Sequence, residues 1–201
     1  MRITLLLIPV FALAFAGSSA AEGMSGRATA GPACPKAWAA GWQKLANRIH
    51  APVYCPGYLP DPLTGEIGGR WNNINSVSKD RSYLVGFVWQ EAGEEIHINL
   101  RGYPGATRVP TCRSIELVGG KEHVTSVPCF ADPHGQKSIA GFRVTEYTVN
   151  QDADQWHVLY AWRHAGSLYA LSQHIAPPLT FPQVVQSLNR MMRSLVLVNP
   201  S

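Results

Sequence analysis

Charge is what this sequence has least of. Asp, Glu, Lys and Arg make up 15% of its 201 residues, against about 25% in most soluble domains. With 46% of residues hydrophobic, the chain as a whole is not disordered, because disordered segments are rich in charge and lack the apolar residues that drive folding. Neither sign dominates: 17 Lys and Arg stand against 13 Asp and Glu. They are scattered along the chain, so no nucleic-acid partner is expected. After residue 16 no apolar run reaches the roughly 20 residues that a membrane-spanning helix needs.

Familiar chemical signatures are missing too. The sequence has no Cys-x-x-Cys, His-x-His, His-Glu-x-x-His or Gly-x-Ser-x-Gly, and no glycine-rich phosphate loop. Those absences exclude the common zinc modules, the zinc-protease helix, the serine-hydrolase elbow and the P-loop.

The N-terminus reads as an address. Met1-Arg2 supplies a positive start, Ile3 to Ala16 is apolar apart from Thr4 and Pro9, and Gly17-Ser18-Ser19-Ala20-Ala21 suits a signal peptidase. The expected division is residues 1–21 as a signal peptide, 22–33 as a flexible lead rich in small residues, and 34–201 as a single α+β domain. The mature chain is expected to be secreted or extracytoplasmic, in the periplasm or at the cell surface. No transmembrane segment then remains, and loss of Arg2 lowers the net charge from +4 to +3.

Cys34, Cys55, Cys112 and Cys129 form an even set, which in an exported chain predicts two disulfides. Proximity favours Cys34–Cys55 and Cys112–Cys129. A hairpin turn over Gly119 to Glu122 would place opposite one another residues whose numbers add to 241, as 112 and 129 do. Directly opposed positions lie within disulfide reach.

The period of the pattern changes along the chain. Trp38, Trp42, Leu45 and Ile49 recur at helical spacing, and Ala51-Pro52 ends that helix. Ala51 to Pro62, with four prolines, reads as an extended segment pinned by Cys55. Strand alternation follows over Tyr83–Gln90 and Glu95–Arg101, then Arg113–Val118 and His123–Pro128, then Ile139–Val149, Gln155–Arg163 and Leu168–Ile175. Thr180 and Gln183 form a capping box for a last helix with Val184, Val185, Leu188, Met191, Met192 and Leu195 on one face. Strands grouped between two helices predict an α+β fold: an antiparallel twisted sheet of about six to seven strands, with an N-terminal and a C-terminal helix packed on one face.

Several residues are candidates for chemistry. Asn150-x-Asp152-x-Asp154 begins like a calcium loop, but Gln155 and Ala161 occupy the positions where such a loop needs glycine and a bidentate acid. It reads as a polar turn. Of seven histidines, His97 and His157, together with Asp154, are the set that neighbouring strands could assemble around a metal. Both histidines alternate with apolar neighbours and are expected on the wetter side of the sheet. Ser76-Val77-Ser78-Lys79 matches Ser-x-x-Lys but lacks the helical stripe that would place Lys79 over Ser76. The aromatic strands Tyr83–Trp89 and Trp156–Trp162 read as core faces. Trp71 beside Arg70 is the aromatic expected to be exposed, and these two residues are the ligand-binding candidates. No catalytic residue is singled out and no cofactor is expected.

Two stretches carry a resemblance. Ala51-Pro52-Val53-Tyr54-Cys55-Pro56-Gly57-Tyr58-Leu59-Pro60 resembles a Val-Tyr-x-Pro-x-Tyr-Leu-Pro pattern. The segment from Trp156 through Ser172 pairs a Val-Leu-Tyr-Ala-Trp strand with a Leu-Tyr-Ala-Leu-Ser strand across a Gly turn. Both are similar to stretches of small bacterial extracytoplasmic domains of unknown function, including the outer parts of anti-sigma-factor-like proteins. The resemblance implies an exported α+β sandwich like that of the photosystem-associated PsbP or the Mog1-like proteins, and it carries over no catalytic residue.

The reading that follows is a non-enzymatic interaction or ligand-binding module at the cell envelope, whose partner is an envelope protein or a small ligand. Two alternatives stand beside it. One is an exported metal-assisted hydrolase using His97, Asp154 and His157. The other is a carbohydrate-binding module using exposed aromatics around Trp71.

Overall fold

The sheet is built from strands that pair mostly with their neighbours in sequence. The computed structural model describes residues 31–150 and 156–201, without the side chains of residues 149 and 150. The expected signal peptide, most of the expected lead, Asp154 and most of the calcium-like segment therefore lie outside the described residues. Helix α1 (Lys36–Ile49) is followed by β1 (Val53–Pro56), β2 (Asn72–Val77), β3 (Tyr83–Glu91), β4 (Glu94–Tyr103), β5 (Thr111–Val118), β6 (Lys121–Pro128), β7 (Phe130–Ile139), β8 (Phe142–Asn150), β9 (His157–His164) and β10 (Ser167–His174), then α2 (Phe181–Ser194) and β11 (Leu195–Val198). An antiparallel seven-stranded sheet runs β2-β3-β4-β10-β9-β8-β7, with β5-β6 and β1-β11 as separate two-stranded ribbons. The antiparallel sheet and the two helices match expectation. Strand outweighs helix among the described residues, so the fold is richer in β structure than α+β implies.

The helix signals translate directly. On α1, Trp42, Leu45, Ala46 and Ile49 are buried, and His50 ends the helix in a left-handed conformation at φ 48°. Trp42 Nε1 donates to the carbonyl of Gly65 at 2.8 Å, fixing the loop after the proline-rich segment. That segment contributes β1, which pairs with β11, and Cys34–Cys55 ties the start of α1 to it. At the other end the expected capping box of Thr180 and Gln183 is present, with the Thr180 amide donating to Gln183 Oε1 at 2.8 Å. Val184, Leu188, Met191 and Met192 form the buried stripe of α2.

Three strands, β2, β7 and β11, are not among those expected from alternation, and one turn needs correction. Phe130–Ile139 is a strand that alternation does not reveal, because Asp132-Pro133-His134-Gly135 interrupts the pattern. It lies at the sheet edge with a register shift between Pro133 and Gln136, where a proline without an N–H and a bulge are tolerated. The turn of β5-β6 is tighter than expected. Val118 pairs with Lys121 across Gly119-Gly120, so Cys112 faces Val127 and not Cys129. The Cys112–Cys129 disulfide forms nonetheless, with Cα atoms 4.9 Å apart, because Cys129 lies just past β6 as the chain turns into β7.

Successive strand side chains point to opposite faces, and here both faces of the central strands are buried. One cluster joins Trp42, Ile49, Val184 and Leu188 with Val85, Phe87, Ile98, Leu100, Tyr160 and Leu171. A second gathers Leu159, Ala161, Leu168 and Ala170 with Cys129 and Phe130. Both faces of β9 are buried from His157 to Trp162 and both faces of β10 from Ser167 to Gln173, and this decides the surroundings of the histidines.

Candidate metal centre

Strand register brings three histidines into one row. His157 pairs with His174 across β9 and β10. Gln173 pairs with Ile98 across β10 and β4, so one residue further on His174 comes beside His97. The ligand nitrogens of His97, His157 and His174 all lie within 4.8 Å of one another. The rings of His157 and His174 stack at 5.2 Å, and His97 meets His157 edge-on at 4.9 Å. Tetrahedral zinc with ligands at about 2.0–2.1 Å needs its nitrogens roughly 3.4 Å apart, closer than the 4.8 Å within which these nitrogens lie.

The wetter-side expectation is overturned. His157 is fully buried and His97 is 8% exposed, because the face that carries them has its own apolar cluster in Leu159, Ala161, Leu168 and Ala170. Burial, followed by the positive charge of His97, His174 and Arg101, pushes the His157 imidazolium down to about 2. His157 is therefore neutral throughout the physiological range, which is the form that ligates metals.

Each ring has a hydrogen-bonding or charged group at Nδ1. Glu95 Oε1 lies 2.8 Å from His174 Nδ1 and 3.4 Å from His97 Nδ1, and Ser172 Oγ lies 3.1 Å from His157 Nδ1. Burial works to raise the Glu95 carboxyl, but hydrogen bonds from His174 and Gln90 and the nearby histidine charge hold it below the ordinary carboxylate range. An ionised carboxylate only accepts, so His174 Nδ1 carries the proton. Nε2 is then the nitrogen that this ring would present to an ion. A carboxylate behind a ligating histidine fixes its tautomer and raises its basicity.

One row along the sheet, Asn99 pairs with Ser172 on one side and Gly86 on the other. Asn99 is 1% exposed, and neither side-chain amide atom has a hydrogen-bond partner in the protein. A Cβ at Gly86 would come within 2.7 Å of Asn99 Oδ1, so glycine there makes room for the amide. Buried polar groups left this way mark places where a polar occupant belongs.

Of the metal candidates read from sequence, His97 and His157 are brought together and Asp154 lies outside the described residues. Sequence reasoning missed His174, Glu95 and Ser172. Elsewhere, Ser76 is on β2 and Lys79 in the turn after it, so the Ser-x-x-Lys helix does not form. Trp71 is half-buried against the larger cluster, with the Arg70 guanidinium 4.3 Å from its ring centre. The exposed tryptophan is Trp156, at 71%.

Comparison with protein-family models, with curated proteins and with solved structures finds no match for this chain.

Proposed function

We propose that this chain is an exported, disulfide-bonded module of the cell envelope that binds one divalent transition-metal ion. His97, His157 and His174 are its ligands, and Glu95 is the carboxylate that orients two of them. Zinc is the ion we assign, since an all-imidazole set suits it and tetrahedral geometry asks little of the protein. The observation that carries the reading is the histidine row itself: side chains from three adjacent strands, largely buried, with a carboxylate behind two of them. Histidines buried for packing alone would not need a shared, ionised Glu95. In this reading both helices pack on the other face of the sheet, and the two disulfides hold the scaffold in an oxidising compartment.

The test is a zinc titration of untagged, oxidised protein freed of metal by chelation. One equivalent bound in the wild type, and none in His157→Ala, supports the reading. Equal binding by both proteins defeats it. A hydrolase reading draws on the same centre, because three protein ligands leave one position on zinc for water, as in catalytic zinc sites. Esterase activity that rises and falls with zinc content would favour it over a purely binding role.

A further inference from the structure

The same face of the sheet carries a second polar feature, remote from the histidines. Val144 pairs with Trp162 at the end of the β8-β9 ladder, so continuing that register one residue sets Arg143 against Arg163, and both line one groove. Their outer neighbours in this row are Ser138 on β7 and Leu168 on β10. Directly opposed strand residues have Cβ atoms about 4.5–5.5 Å apart, and like charges in that position destabilise a sheet.

Nothing acidic relieves the pair among the described residues. Neither arginine has a carboxylate within ion-pair distance; the one side-chain hydrogen bond either makes is from Arg143 Nε to Gln136 Oε1 at 3.0 Å. The nearest acid along β7, Asp132, is already engaged by Thr148 and His134. The two guanidinium groups open onto a groove of about 560 Å³ whose walls include Val109, Pro133, Tyr147 and Leu168, with no acidic residue in its lining. That volume is in the range of small-molecule sites. Arg163 is six residues from His157 along β9, a separation of about 20 Å, so the groove and the histidine row are separate.

We infer that the groove between Arg143 and Arg163 is a binding site for a small organic oxyanion, a phosphate or sulfate group carried on an apolar or aromatic body. Two planar guanidinium groups side by side match the oxygens of a tetrahedral oxyanion, each able to bind bidentately. The anion removes the repulsion between the arginines, and the apolar walls take the carrier. A carrier-free ion gains only the first of these. Binding here needs no metal.

The experiment uses the oxidised, chelator-treated protein and three probes: inorganic phosphate, phenyl phosphate and phenol. Arginine side-chain NMR signals and calorimetry follow binding. Phenyl phosphate should bind at least tenfold more tightly than inorganic phosphate, and phenol should not bind. Arg143→Gln and Arg163→Gln should each weaken phenyl phosphate tenfold or more without lowering the melting temperature, because each relieves a like-charge pair. His157→Ala should leave phenyl phosphate binding unchanged, which separates this site from the metal centre. Phenyl phosphate binding that is absent, no tighter than inorganic phosphate, or unchanged in Arg163→Gln would overturn the assignment.

Discussion

His157 and His174 face each other across two adjacent strands with their rings within 12° of parallel. Two stacked imidazoles that largely lack water cannot both be protonated without strong repulsion, and burial keeps His157 neutral. A divalent ion between neutral rings has no such conflict. Metal should therefore stabilise the fold, by an amount that grows with the logarithm of free metal once its concentration exceeds the Kd. A melting temperature that rises with added zinc in the wild type, and not in His174→Ala, is the expected outcome.

Glu95 orients without ligating. In Glu95→Gln the amide can still accept a hydrogen bond from His174, but the charge behind the ring is lost. Loss of such an outer partner weakens metal affinity by about 10–100-fold. Zinc competition against a chromophoric chelator should show a drop in that range, with far-UV circular dichroism unchanged. An affinity equal to wild type would mean that Glu95 plays no part in holding the ion.

Two of the three histidines, His97 and His157, were legible in the sequence, whereas His174, Glu95 and Ser172 were not. A two-residue turn at Ala165-Gly166 sets opposite each other residues whose numbers add to 331, as 157 and 174 do. The His157–His174 pair could thus have been read from the turn alone. Alternation could name His97 but not place it: it joins them because β4 lies beside β10, a pairing between residues far apart in the chain. The wet-face expectation failed because alternation shows that a strand has two faces, not that one of them is open. The helices were legible because Pro52 and the Thr180 cap act locally, although Leu195, read as part of the last helix, opens β11. The edge strand β7 was not, since its proline and glycine are tolerated only through its position at the edge.

The hairpin β5-β6 should depend on its disulfide independently of the metal. Closing a loop of 17 residues restricts the unfolded chain by about 3 kcal/mol. The hairpin exposes Ile115, Leu117 and Val124, so it has little apolar burial of its own. Cys112→Ser with Cys129→Ser should lower the unfolding free energy by about 3 kcal/mol in a denaturant titration while zinc stoichiometry is preserved. Loss of zinc binding in that variant would show that the hairpin supports the centre.

Gly102 is fixed by its neighbour. It pairs with Tyr83 across β3 and β4, and a Cβ at this position would come within 2.2 Å of the Tyr83 ring. Tyr83 is 4% exposed and cannot swing away. Gly102→Ala should cost about 1–3 kcal/mol, the usual range for overpacking. Unchanged stability in urea would contradict the close approach.

Alkaline pH should unfold this protein cooperatively. Burial pushes the Tyr54 phenol up to about 12, and raises Tyr83, Tyr160 and Tyr169 as well. A phenol whose native value lies above its unfolded value of about 10 keeps its proton longer in the fold. Its contribution is complete below pH 10 and is lost as pH rises from there through the native value, at about 1.4 kcal/mol per pH unit for each tyrosine. Tyrosinate absorbance for these four should appear late and together with the loss of circular dichroism. Their gradual ionisation near pH 10 in a folded protein would contradict the burial on which the larger core rests.

The measurement closest to the central claim is the metal content of the native chain, purified without a histidine tag and then titrated with zinc or cobalt after chelation. The account predicts one ion per chain, a tetrahedral cobalt spectrum with imidazole nitrogen ligands, and loss of binding by about a hundredfold or more in His97→Ala, His157→Ala and His174→Ala, each a direct ligand and so beyond the outer-partner range. Zinc that fails to bind stoichiometrically, or that binds equally well in all three folded variants, would contradict it.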